Sequence, residues 1–385
     1  MTTPGEHSRP GPAAMTGPPA QRVVVACSGP TWERFRSDEE LRRLARLAEL
    51  HVELVDVQSG WTEPPLPAPE AEARVISAAQ GAVAVLICHG SPLIGGELLD
   101  QVPTVRFVGE LEGDRFASRI DLPACWSRGI RVVDTNNSMS YPVAEWALAL
   151  MLMGLRDYGS LWRKMVVDRV PMGPGRPSSD FGFVHGELSG KTIGLVGFGH
   201  IARRLVELLQ PFRVQVYAHD PYVPIEVADA SGVVLTSLDN VVALSDLVCC
   251  LVPLTPATRG LLGAGQIELL KPGTVFVNVS RGAVVDHGAL LDRLRRGDVV
   301  ACLDVFDPEP VPVDSPFLDL PNVVLSPHIA SATAASSPRS LHLMVDELER
   351  YLAGHQTRFD LLPRTLENRR GFPPGSQQQV SAPGT

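Results

Sequence analysis

The stretch KTIGLVGFGHIARRLVELL, Lys191 to Leu209, constrains this chain more than any other. An apolar strand, a glycine turn and a helix-like segment follow one another without a spacer. Gly197 permits the tight turn, Gly199 lets backbone approach a pyrophosphate, and Ala202 takes the third, packing position. The helix that starts near His200 and Ile201 then presents its N-terminal amides and positive dipole end to phosphate. The next strand, RVQVYAHD, ends in Asp220, 21 residues after Gly199, where an acid binds the diol of an adenosine ribose. No Arg or Lys follows in DPYVPIEVAD to meet a 2′-phosphate, so the expected cofactor is NAD rather than NADP.

The apolar pattern shows two rhythms. From Gln21, the bursts RVVVAC, HVELVDV, AVAVLIC, TVRFVGE and IRVVDT alternate with helix-like stretches. From Lys191, TIGLVGFG, VQVYAHD, DLVCCLVP, TVFVNVS, VVACLDVF and NVVLSP do the same. Short, nearly continuous apolar strands separated by helices predict parallel sheets covered on both faces. A chain of 385 residues has room for two such units. Between them, YPVAEWALALMLMGLR, Tyr141 to Arg156, is apolar on almost every side, which predicts a helix that is buried or used at a subunit contact. PMGPGRPSSD reads as a loop, and Pro338 to Leu352 as a helix with no sheet of its own.

Composition removes other classes. The formal net charge of -9, with no long basic run, lacks the footprint of nucleic-acid binding. The run VAEWALALMLMGL is too short for a membrane span and carries Glu145. Six cysteines without a CxxC pair read as buried thiols of a reducing compartment, with no metal site. Residues 1–21 lack the apolar segment of a signal peptide, and Met15 lies among them as an alternative start. The expected location is the cytoplasm. Residues 1–21 and 361–385, rich in Pro, Gly and polar residues, are expected to be disordered.

VGFGHIARR, LVPLTPATRGLL, FVNVSRGAVVD, LDVFDPEP and LSPHIAS, in that order and spacing, resemble the D-isomer-specific 2-hydroxyacid dehydrogenases, the family that includes phosphoglycerate dehydrogenase. The likeness covers roughly Val23 to Leu352. It implies a Rossmann NAD-binding domain, residues 140–328, inserted into a flavodoxin-like substrate domain, residues 22–139 and 329–360. It also implies a cleft between them, hinges at about 136–141 and 328–333, and a homodimer acting on a small anionic substrate. Val252, Pro253, Thr258, Ser280 and Arg281 fall where the family lines the cofactor. Asp304 falls where the family contacts the nicotinamide carboxamide.

Hydride transfer between nicotinamide and C2 of a 2-hydroxy or 2-oxo acid needs a cation, a proton donor and a group that tunes the donor. Arg281 stands at the strand end VNVSRG, with a planar fork that matches a carboxylate. Glu309 lies in DPEP, nineteen residues before His328, and a carboxylate beside an imidazole favours the charged, proton-donating form. The resemblance assigns these three to catalysis.

Two stretches depart from the family pattern. Where relatives carry a GxGxD turn whose amides hold the substrate carboxylate, this chain has VGELEGDRFASRIDL, with Leu111, Glu112 and Gly113 at the substrate positions and Glu110 and Asp114 beside them. Acidic side chains there repel an anion unless they point away. The loop CHGSPLIGG carries His89 and Ser91 where phosphate-reading members tend to be basic. Two alternatives follow from the family's range. One is a relative acting on a phosphonate or another non-carboxylate anion. The other is a non-enzymatic NADH-sensing corepressor, which the acidic balance disfavours.

Overall fold

The computed structural model describes residues 21–59, 64–112, 118–170 and 186–370. Most of the expected N-terminal tail, the loop PMGPGRPSSD, Gly113, Asp114 and the final GFPPGSQQQ run lie outside them. Among the described residues, twelve strands form two wholly parallel sheets. The first holds β1 (Arg22–Cys27), β2 (Glu49–Leu54), β3 (Ala82–Ile87), β4 (Phe107–Glu110) and β5 (Arg131–Asp134), in the order β2-β1-β3-β4-β5. The second holds β6 (Thr192–Val196), β7 (Gln215–His219), β8 (Val233–Leu235), β9 (Leu247–Cys250), β10 (Val275–Asn278), β11 (Val300–Leu303) and β12 (Val323–Leu325), in the order β12-β11-β10-β9-β6-β7-β8.

Both orders are doubly wound: the first is flavodoxin-like, the second Rossmann-like. The central strands β1, β3, β9, β10 and β11 are almost entirely buried, which is why their sequences run apolar without alternation. All six cysteines are free and buried. Burial pushes the thiols of Cys27, Cys125 and Cys250 up to about 12, so these cysteines pack as small apolar side chains. Among the described residues no group of His, Cys, Asp and Glu could hold a metal ion. No helix there is long and apolar enough to cross a membrane.

The chain passes between the sheets twice, each time from a carboxyl edge. After β5 it enters a 3-10 turn, Asn136–Met139, and then helix Ser140–Leu155. That helix packs into the second sheet's core through Val143, Ala147, Leu150 and Met151. After β12 the chain returns to helix Ser336–Leu352, whose Leu341, Met344, Val345 and Leu348 are buried with Val23 and Val25 of β1. Arg43 of helix Asp38–Leu47 fastens the returning helix through Asp346 at 2.8 Å and Glu349 at 2.7 Å. The two crossings touch: Ser138 and Ser340 share a 2.7 Å hydroxyl contact, and Arg339 donates to the Ser138 carbonyl. The crossings that leave the carboxyl ends of β5 and β12 therefore meet at Ser138 and Ser340.

Residues 361–370, assigned to a disordered tail, are ordered. Leu361 is buried and donates its N–H to Val132 at 2.8 Å, its carbonyl accepts from Trp126 Nε1, and helix Pro363–Arg370 buries Leu366 in the first sheet's core. The polar composition hid two apolar anchors, Leu361 and Leu366.

Candidate active site

The glycine turn is shaped by its surroundings. Gly197 has φ +97°, and a Cβ there would stand 2.9 Å from Val252 Cγ1 and 3.1 Å from its backbone nitrogen. Only glycine fits. A Cβ on Gly199 would meet nothing within 4 Å, so the backbone there borders open space. The following helix, His200–Leu209, has no side-chain cap on its first amides. It buries Ala202, Leu205, Val206 and Leu209 along one face, leaving His200 exposed at its start and Ile201 half-buried. Asp220 stitches the turn to β7, accepting from Phe198 N–H at 2.9 Å, Tyr222 N–H at 2.9 Å and Val223 N–H at 3.2 Å. Open backbone, uncapped amides and an acid beside them fit a dinucleotide.

The neighbouring loop closes on itself. The Ser280 hydroxyl donates to the Val252 carbonyl, and the Thr258 hydroxyl donates to the Pro253 carbonyl. Asn278, buried at the end of β10, clamps the next turn, accepting from Ser280 N–H at 3.0 Å and donating to the Arg281 carbonyl at 3.1 Å. Among the described residues, the Arg281 guanidinium makes one hydrogen bond, from Nη1 to the Ser280 carbonyl at 2.7 Å. Burial pulls its pKa down from the ordinary arginine value while the Glu309 charge opposes that, and arginine stays protonated. Gly282 brings it to Glu309, since a Cβ there would lie 2.0 Å from the Phe306 carbonyl carbon.

His328 and Glu309 are joined. His328 Nδ1 lies 2.8 Å from Glu309 Oε2, and Glu309 Oε1 accepts from Phe306 N–H at 2.8 Å. A carboxylate only accepts, so Nδ1 carries the proton and Nε2 is the nitrogen left to exchange one. Both side chains are partly exposed. Asp304 is fully buried, and its carboxylate accepts from Ser326 Oγ, Ile329 N–H at 3.0 Å and Ala330 N–H at 3.0 Å. It thereby anchors the backbone around His328.

At the other carboxyl edge, Leu111 is fully buried, with its N–H donated to Ile87 and its carbonyl accepting from Thr135. Glu112 pairs with His89 Nε2 at 2.6 Å and with Arg34 at 3.1 Å. Glu110 pairs with Arg119 at 3.2 Å, both nearly inaccessible. Ser91 is buried and donates to the Pro92 carbonyl. Sequence reasoning missed Asn278, Ser326, Arg34 and Arg119. Asn278 left a faint trace, since asparagine is rare at the end of an apolar strand.

Fold and site together define a dinucleotide-binding protein of two doubly wound units, with Arg, Glu and His at the strand ends of the Rossmann-like sheet. Residues 148–330 match the family model described as "D-isomer specific 2-hydroxyacid dehydrogenase, NAD binding domain". The chain is 34% identical over 284 residues to the (S)-sulfolactate dehydrogenase of Chromohalobacter salexigens, covering 73% of this chain and 88% of that one. It belongs to the D-isomer-specific 2-hydroxyacid dehydrogenase family, whose NAD-binding domain assigns NAD as its cofactor. The D-3-phosphoglycerate dehydrogenase of Archaeoglobus fulgidus is 34% identical over 249 residues, which are 64% of this chain and 45% of that protein. The chain thus spans about half the length of the phosphoglycerate dehydrogenases it matches. A crystal structure of a phosphoglycerate oxidoreductase from Rhizobium etli shares the fold, with a TM-score of 0.74 at 22% identity over 89% of this chain and 97% of that one.

Proposed function

We propose that this protein is an NAD-dependent oxidoreductase that interconverts a 2-hydroxy acid and its 2-oxo acid. The observation that carries the reading is the 2.8 Å contact between His328 Nδ1 and Glu309 Oε2. Bound NAD would supply or accept the hydride. Gly197, Gly199, His200 and Ile201 would hold its pyrophosphate and Asp220 its ribose. Val252, Pro253, Thr258, Ser280 and Arg281 would line its nicotinamide half.

Arg281 holds the substrate carboxylate and polarises the carbonyl with donors that no protein group occupies among the described residues. His328 delivers a proton from Nε2 to the carbonyl oxygen in reduction and removes it in oxidation. Glu309 orients the ring and stabilises the imidazolium. Asp304 acts through the His328 backbone as a positioning residue. The cleft would lie between residues 22–139 with 329–360 and residues 140–328, with hinges at the two crossings.

Dimerisation belongs to the same proposal. Helix Ser140–Leu155 spends most of its apolar surface inside the chain, and the exposed apolar side chains follow it: Tyr158, Trp162, Met165, Val167 and Val170. Monitoring NADH oxidation with small 2-oxo acids, alongside His328→Ala, tests the reading.

A further inference from the structure

Trp146 lies on helix Ser140–Leu155, which leads out of the first crossing, and its partly buried indole packs against the core that holds Ala147, Leu150, Val324 and Ala330. An indole N–H only donates, and Trp146 Nε1 donates to Ser326 Oγ at 3.1 Å, across 180 residues of chain. A serine hydroxyl has one hydrogen, and that of Ser326 goes to the Asp304 carboxylate. Asp304 in turn accepts from Ile329 N–H and Ala330 N–H, both at 3.0 Å. Every hydrogen in this series points the same way, from the helix toward the two residues that follow His328.

His328 stands at the end of the series. Its N–H donates to the carbonyls of Asp304 and Ser326, the same two residues whose side chains are joined. Its backbone lies in the left-handed region that favours glycine, so it depends on bonds of this kind to stay there. Ala330 is buried in the core that also takes Ala147 and Leu150, so the helix and the His328 loop share packing as well as hydrogen bonds. Ser326 and Asp304 are themselves buried, which limits water as a substitute for the indole donor.

We infer, resting on the oxidoreductase reading, that Trp146 is a positioning residue for the proton donor: its N–H fixes the Ser326 hydroxyl, which fixes the Asp304 carboxylate and so the backbone that aims His328. A hydroxyl whose oxygen has no donor can turn its hydrogen toward another acceptor. A donor on that oxygen removes the choice, and bonds linked in a buried chain strengthen one another. The first link therefore acts on the last. The series also ties the helix that leaves the first crossing to the loop that begins the second, so that the two crossings hold the donor jointly. A phenylalanine in place of Trp146 would keep an aromatic ring in the same core and leave Ser326 without this donor.

The test is a double-mutant cycle of Trp146→Phe and Ser326→Ala, read by the single-turnover rate of NADH oxidation. The substrate is whichever of glyoxylate, pyruvate and hydroxypyruvate wild type reduces fastest. Each single variant is expected to lose about tenfold in that rate, with the NADH Kd and the half-saturating substrate concentration changed by less than about twofold. In the Ser326→Ala background, Trp146→Phe is expected to cost nothing further, because the link it breaks is already gone. An equal loss from Trp146→Phe in both backgrounds overturns the inference, since the indole then acts by packing alone. So does a wild-type rate in folded Trp146→Phe. A wild-type rate in Ser326→Ala overturns it whether or not Trp146→Phe folds. Each of these outcomes leaves the oxidoreductase reading standing, whereas a wild type that reduces none of the three acids overturns both.

Discussion

His328 takes φ +53°, a left-handed conformation that costs a non-glycine residue on the order of 1 kcal/mol. The surrounding bonds hold it there: its N–H donates to the Asp304 carbonyl at 2.8 Å and to the Ser326 carbonyl at 3.0 Å, and the Asp304 carboxylate gathers the next two amides. The ring is thus aimed by backbone as well as by Glu309. LSPHIAS shows the histidine and its proline in sequence, but neither the φ angle nor the role of Asp304, because both depend on contacts 22 to 26 residues apart. Gly282 is constrained by the backbone it touches. A Cβ there would press on the backbone of Phe306 and Asp307, which cannot yield without moving the segment that bears Glu309. Gly282→Ala is expected to lower stability by about 3 kcal/mol and to cut kcat along with it. Urea unfolding and steady-state rates check this, and an alanine variant with both unaltered would contradict the packing described.

Asp157 sits between helices Ser140–Leu155 and Tyr158–Trp162 at φ +48°, nearly fully buried. Burial raises its carboxyl from 3.8 to about 6, with a hydrogen bond to Ser160 opposing. The folded state therefore holds the proton more tightly than the unfolded chain does. Stability falls as pH rises from about 4 to about 6 and stays lower above that. Asp157→Asn is expected to stabilise the protein at pH 7 by on the order of 1 kcal/mol and to add little at pH 4. Calorimetry at the two pH values reads it, and equal gains at both would refute the assignment. At this scale the sequence was most legible. Strands, the glycine turn and the two long helices follow from apolar period and glycine placement, since each is a local pattern. The charge pairing of Glu112 with Arg34 spans 78 residues and left no local sign.

For the whole molecule, two parallel sheets follow from the alternation of strands and helices. The crossing points after β5 and β12 were legible only through the resemblance. The exposed side chains of Tyr158, Trp162, Met165, Val167 and Val170 form the surface expected at a twofold contact. Sedimentation velocity should give twice the 41.5 kDa chain mass, and Met165→Glu with Val167→Glu should shift it toward one chain. A wild-type protein that sediments as a single chain at micromolar concentration would remove the dimer.

Stopped-flow measurement of NADH consumption with a 2-oxo acid in excess, on wild type and His328→Ala, addresses the central claim. Wild type is expected to turn over, and His328→Ala to lose about 10²- to 10⁴-fold in rate while still binding NADH. Full activity in His328→Ala, or tight NADH binding by wild type with no turnover of any 2-oxo acid, would contradict it.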